Sequence, residues 1–261
     1  MAKIYAFVNQ KGGVGKTTTA INLGASLVNH DKQVILVDLD AQGNATSSLG
    51  FNRADITSGT YSLLTQPQAN LVENTLHDGS FDFSLVPASP ALAGAEVELV
   101  NARDRVTRLQ QALTQAKTYD YILIDCPPSL GLLTLNGLVA AQAVVIPVQC
   151  EYLALEGLSQ LLETIYRVRR AFNSDLRIRG LLMTMFDSRI NLARQVVDEV
   201  RGHFPGRVFR TVIPRNVRLA EAPSHGMSIT AYDPQSSGAA AYAALAREIV
   251  EGDRVARSAS V

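Results

Sequence analysis

The stretch VNQKGGVGKTTTA, Val8 to Ala20, contains residue types that handle phosphate. Gly12, Gly13 and Gly15 lack Cβ atoms, so backbone N–H groups can curl around a phosphate. A helix beginning at Lys16 adds free N–H donors and partial positive charge at its N-terminus. Lys16 can neutralise β- and γ-phosphate oxygens, and Thr17 offers a hydroxyl to Mg2+, a hard ion that favours oxygen. The standard loop reads G-x-x-x-x-G-K-[ST]. Here the first glycine is replaced by Gln10, and an additional lysine, Lys11, follows it. Two apolar runs end in acids: Val34–Val37 leads into Asp38-Leu39-Asp40, and Tyr121–Ile124 leads into Asp125. An acid at a strand end is what holds Mg2+ or its water beside a nucleotide.

These residues need a scaffold. Apolar, β-branched runs predict strands at Lys3–Val8, Gln33–Val37, Phe83–Pro87, Tyr121–Ile124, Ala143–Val148, Ile178–Met183 and Val208–Val212. Helical patterns lie between them: Lys16–Asn29, stretches near 91–117 and 131–141, Leu153–Phe172, Ala193–Phe204 and Gly238–Val250. Residues 41–80 are rich in Gly, Asn, Ser, Thr and Gln and read as loop and short helix. Continuous apolar strands alternating with helices predict an α/β fold, a single domain whose mostly parallel sheet is covered on both faces. Such sheets bind ligands at the carboxyl ends of their strands, which puts all three aspartates on the phosphate-loop edge. The expected boundaries are a single phosphate-loop domain over 1–252 and a polar, frayed tail over 253–261.

Composition narrows the class. The chain has 261 residues, 47% hydrophobic and 18% charged, as in globular proteins. Cys126 and Cys150 form no C-x-x-C pair, which points to a reducing compartment without disulfides or a metal cluster. No apolar run is long enough to span a bilayer, and a cytoplasmic protein is expected. Net charge is zero but uneven. Residues 167–218 carry twelve arginines against four acids, a net of +8 offset by −8 elsewhere. Such a block suits an anionic partner or a set of solvated helix faces.

Six segments together resemble the ParA/Soj partition ATPases. They are KGGVGKTT (11–18), VDLDAQGNAT (37–46), YILIDCPPSLGLLTLNGL (121–138), PVQCEYLALEGLSQLL (147–162), LLMTMFD (181–187) and IPRNVRLAEAPSHGMSI (213–229). This family sits in the deviant Walker A branch of the P-loop NTPases, with MinD and the nitrogenase iron-protein relatives. The resemblance covers nearly the whole chain and implies an ATP hydrolase, slow alone, using ATP and Mg2+. Lys11 resembles the signature lysine that reaches the partner subunit's phosphates in a nucleotide-sandwich homodimer, and Gly12 the position that lets two loops approach. The resemblance implies an ATP site of Lys11, Gly12, Gly13, Val14, Gly15, Lys16, Thr17 and Thr18, with Pro214 and Asn216 in the adenine-holding segment. It implies catalytic roles for Lys11, Lys16 and Asp40, with Asp40 positioning the attacking water. Thr17, Asp40 and Asp125 form the implied metal site, Asp125 as the Walker B acid. It gives Asp38 no separate role. Arg189 and Arg218 match positions that bind double-stranded DNA without sequence preference. The implied partners are a ParB/Spo0J-type protein and the nucleoid.

Related functions remain open at this point. A relative positioning a chemoreceptor array, flagellum or carboxysome would use the same chemistry. A MinD-like membrane cycle needs a basic C-terminal helix with bulky apolar residues, whereas the end here, ALAREIVEGDRVARSASV, lacks aromatics; no membrane partner is expected. A small-molecule ligase or kinase would leave Arg189 and Arg218 unexplained. The phosphate loop begins within ten residues of Met1, so site-specific operator binding through a preceding helix-turn-helix is not expected.

Overall fold

A computed structural model describes residues 2–77, 81–151, 154–155 and 157–258. Six parallel strands form one sheet in the order β3-β2-β4-β1-β5-β6. They are β1 (Lys3–Phe7), β2 (Val34–Asp38), β3 (Ser84–Val86), β4 (Tyr121–Asp125), β5 (Ala143–Gln149) and β6 (Arg177–Thr184). The intervening helices are α1 (Lys16–Val28), α2 (Asn44–Ser48), α3 (Thr60–Thr65), α4 (Leu92–Leu99), α5 (Arg108–Leu113), α6 (Leu132–Ala140), α7 (Leu158–Ala171) and α8 (Asn191–His203). After β6 and α8 come α9 (Val217–Glu221), α10 (Ile229–Tyr232) and α11 (Ser237–Ser258).

The two faces of the sheet carry separate cores. Strand residues alternate sides, so Tyr5 and Phe7 join Val34 and Leu36 under α1 and α11. Ala6 and Val8 join Ile35 and Val37 under α4 to α8. Helix α7 shows how its own sequence directs this: Leu158, Leu161, Ile165 and Val168 recur at helical spacing and are buried. The other face carries its charges. Each such fully buried side chain contributes about 1.5–3 kcal/mol.

Three expectations need correction. Val208–Val212 is not a strand. Its chain runs beside β6, with bridges only at Leu181–Val208 and, further on, Phe186–Pro214. The ladder fails between them because the Glu248 carboxylate captures the amides of Arg210 (2.8 Å) and Thr211 (3.0 Å). The helical stretch near 91–117 is two helices separated by turns over 100–107. Residues 253–258 are not frayed, since α11 continues to Ser258; the rest of the expected tail, residues 259–261, lies outside the described residues. Asp253 is buried and accepts hydrogen bonds from the Tyr5 hydroxyl (2.5 and 2.7 Å) and the Tyr121 hydroxyl (3.0 Å). Arg179 Nε lies 3.6 Å away. This network pins α11 to β1 and β4. Helix α7 begins at Leu158, after Gly157 at φ 75°, not at Leu153 as expected; residues 153 and 156 of the expected helix lie outside the described residues.

Candidate functional site: a phosphate loop facing two strand-end acids

The carboxyl end of β1 opens into the glycine loop, and α1 starts at Lys16 as expected. Gly13 (φ 72°) and Gly15 (φ 89°) take left-handed backbone conformations, which cost residues with a Cβ roughly 1–2 kcal/mol. Gly12 differs in having no positive φ, and a Cβ there would meet nothing within 4 Å. Gln10 has its own place, since its Oε1 lies 3.2 Å from where a Cβ on Gly157 would stand. Its side chain therefore fills space at the start of α7.

The loop borders a cleft of about 360 Å³ lined by Gly12, Gly13, Gly15, Lys16, Thr17, Thr18 and Asp40. Lys16 is buried and donates to the Lys11 carbonyl at 3.2 Å. Burial lowers its pKa, opposed by the nearby charges of Asp125 and Asp40. Thr17 Oγ1 donates to Asp125 Oδ2 at 2.6 Å. The other oxygen, Asp125 Oδ1, is buried without a hydrogen-bond partner. Burial pushes the Asp125 carboxyl up to about 8, and neighbouring Asp38 adds to the shift. A buried, unsatisfied carboxylate oxygen is costly, and a cation beside it removes that cost. Thr17 and Asp125 therefore fit a Mg2+ site. Among the described residues, no group of three or more His, Cys, Asp or Glu forms a ready metal cage. The ion would take its remaining ligands from phosphate and water, as Mg2+ commonly does.

The structure separates the two aspartates that the sequence left together. Asp40 lines the cleft, and its Oδ1 accepts Gln42 N at 2.9 Å. Asp38 is fully buried and pairs in register with Asp125 across β2 and β4. Its carboxylate accepts from Thr46 N (2.8 Å) and Thr46 Oγ1 (2.7 Å). Burial pushes it up to about 6.

Lys11 does not line this cleft. Its backbone N is held by Asn9 Oδ1 at 3.0 Å, and its Nζ pairs with Glu151 Oε2 at 3.4 Å. It faces a neighbouring cleft of about 440 Å³ with Glu151, Asp187 and Arg215. Both side chains of the Lys11–Glu151 pair are over two-fifths exposed, so the pair contributes little to stability.

A third, more apolar cleft of about 390 Å³ adjoins the loop at Gly15 and Thr18. Pro214 and Asn216 line it, with Ile213, Leu219 and Tyr242. The Asn216 side chain is already engaged: Oδ1 caps α9 through Arg218 N, and Nδ2 donates to Ser237 Oγ at 2.7 Å. Two residues here were not singled out from sequence as site members. Thr184 Oγ1 donates to the Val14 carbonyl at 2.9 Å, so it braces the loop from the end of β6. Met185 borders all three clefts and holds φ 53°, a strained value of the kind found at functional sites. Nothing in the order of residues marks a positive φ on methionine. Pro223 and Met227 also line the phosphate cleft; their segment was recognisable, their role was not.

Arg189 and Arg218 lie outside the clefts and are exposed. Arg189 forms a forked pair with Asp187 (2.9 and 2.7 Å), which holds that acid down at about 2. Arg218 pairs with Glu221 at 2.9 Å and Asp233 at 3.4 Å. The structure puts Arg189 between β6 and α8 and Arg218 on α9.

A family model described as an AAA domain matches residues 2–178. The sporulation initiation inhibitor protein Soj of Bacillus subtilis is 55% identical over 250 residues, covering 95% of this chain and 98% of Soj. The chromosome partitioning protein ParA of Myxococcus xanthus is 54% identical over 255 residues, covering 97% of this chain and 89% of ParA. Among solved structures, a cobyrinic acid a,c-diamide synthase from Mycobacterium smegmatis with bound ADP and magnesium superposes with a TM-score of 0.86. It shares 36% identity, covering 97% of this chain and 96% of that one. With its glycine loop, strand-end acids and whole-chain identity to Soj and ParA, the chain belongs to the ParA/Soj family of chromosome-partitioning ATPases.

Proposed function

We propose that the chain hydrolyses ATP at this cleft and uses the ATP state to form a homodimer that binds DNA without sequence preference. A ParB/Spo0J-type partner then stimulates hydrolysis, and the dimer leaves the nucleoid. The observation carrying this reading is the Thr17–Asp125 pair at 2.6 Å with Asp125 Oδ1 buried and unpartnered beside the glycine loop. When bound, Mg2+ offsets negative charge on the phosphates and on Asp125. Lys16 and the loop amides hold the β- and γ-phosphates, and the apolar cleft at Pro214 and Asn216 takes the base. Val14 keeps the loop's shape through its carbonyl bond to Thr184. Asp40 orients the water that attacks the γ-phosphate.

Lys11 supports the dimer reading by where it stands. It is excluded from its own phosphate cleft and held on an exposed pair with Glu151. Such a weak pair is readily exchanged for a partner subunit's phosphates. Arg189 and Arg218 would likewise trade Asp187, Glu221 and Asp233 for DNA phosphates, a contact that gives salt-dependent, sequence-independent affinity. Two copies in one dimer double that surface, and DNA affinity rises through avidity. The test is size-exclusion and DNA-binding measurement of wild type and Lys16→Ala with ATP, ADP and no nucleotide. Wild type should dimerise and bind DNA with ATP alone, and Lys16→Ala should do neither. DNA binding by a nucleotide-free monomer at equal strength would defeat the reading.

A further inference from the structure

Asp38 touches the loop that carries Asp40 at both ends. Its Oδ1 accepts the Asp40 amide at 3.3 Å, and its Oδ2 accepts Thr46 N and Thr46 Oγ1. The Thr46 hydroxyl in turn accepts the amide of Ala88 at 2.9 Å, just beyond β3. The Asp38 carbonyl accepts Thr60 Oγ1 at 2.7 Å. Asp38, Thr46 and Ala88 are all fully buried. One carboxylate and one hydroxyl thus tie the ends of β2 and β3 to both ends of residues 40–46. Within that span, Asp40 accepts Gln42 N at its side chain and Gly43 N at its carbonyl, so the loop has little freedom of its own. Neither Asp38 nor Thr46 lines the phosphate cleft, whereas Asp40 does.

We propose that Asp38 and Thr46 are positioning residues for hydrolysis, fixing the Asp40 carboxylate through its backbone. This rests on the reading of Asp40 as the residue that orients water. A displacement of about 1 Å in such a group can cost on the order of a hundredfold in rate. The hydroxyl of Thr46 is the removable element: valine keeps the shape but neither donates to Asp38 nor accepts from Ala88. Serine keeps both bonds.

The experiment measures single-turnover phosphate release, ATP affinity and melting temperature for Thr46→Val, Thr46→Ser and Asp40→Ala in the full chain. Thr46→Val should lose at least about tenfold in the hydrolysis rate with ATP affinity within about threefold, the pattern of a group acting only in the transition state. Thr46→Ser should retain the rate within about threefold. An unchanged rate in Thr46→Val, an equal loss in Thr46→Ser, or a loss confined to ATP affinity would overturn the proposal. If Thr46→Val does not fold, Asp38→Asn carries the same criterion, since its amide N–H₂ replaces one oxygen that now accepts. Normal hydrolysis by Asp40→Ala would remove the underlying reading as well. An inactive Asp40→Ala beside a fully active Thr46→Val would contradict only the positioning role.

Discussion

At the scale of single residues, the site stores unfavourable electrostatics that a cation can relieve. Burial pushes Asp125 up to about 8 and Asp38 up to about 6, and the charge of Asp38 adds to the Asp125 shift. A carboxyl whose folded value is raised binds its proton more tightly in the folded chain. Folding is therefore most favoured below the ordinary aspartate value of about 4 and loses that advantage as pH rises to about 8. Asp125→Asn should accordingly raise the melting temperature of the nucleotide-free protein above about pH 8 and change it far less near pH 4. Thermal melts across that range check this; equal effects at both ends would contradict it. Asp125→Asn should also weaken Mg2+-dependent ATP binding, so stability and function move in opposite directions. Asp40→Ala should keep ATP binding and the ATP-bound dimer while losing hydrolysis, measured by phosphate release alongside size-exclusion.

At the scale of elements, the glycine loop separates two roles. Gly13 and Gly15 need their positive φ in their own chain, but a Cβ on Gly12 meets nothing there. Gly12→Val should therefore fold and bind ATP normally, yet fail to dimerise, as seen by light scattering with ATP. A normal dimer would show that the two loops do not approach closely at this point. The C-terminal helix gives a second prediction. Asp253→Ala removes the carboxylate that accepts from the buried Tyr5 hydroxyl, at about 1–3 kcal/mol, and should lower the melting temperature clearly without changing ATP affinity. The alternation of β1, β2, β4 and β5 with helices was legible because each strand is an unbroken apolar run. The edge was not. Residues 208–212 have strand composition, but a glutamate on α11 takes the amides a neighbouring strand would need, and that contact spans 37 and 38 positions of sequence. The helix end was misread for a similar reason: Asp253 looks like a tail residue until Tyr5 and Tyr121 are brought beneath it. In the site, glycines, lysines and acids announced themselves by spacing. Met185 and the different placement of Asp38 and Asp40 depended on backbone angle and burial, which spacing does not encode.

At the scale of the whole molecule, zero net charge conceals a segment of +8. No helix among the described residues is long and apolar enough to cross a membrane. Arg189 and Arg218 are exposed and held by carboxylates, so on the proposed function DNA phosphates would compete with internal acids. A single copy offers few such contacts. On the proposed function, two copies in an ATP-closed dimer would offer twice as many, which would couple the phosphate cleft to DNA without any contact between them. Arg189→Glu should keep ATP-dependent dimerisation and lose DNA. The most direct measurement follows DNA affinity of wild type across salt concentration with ATP, with ADP and without nucleotide. Tight binding with ATP alone, falling steeply as salt rises, is the predicted result. Equal affinity in all three nucleotide states, or an affinity indifferent to salt, would contradict the coupling of nucleotide to DNA.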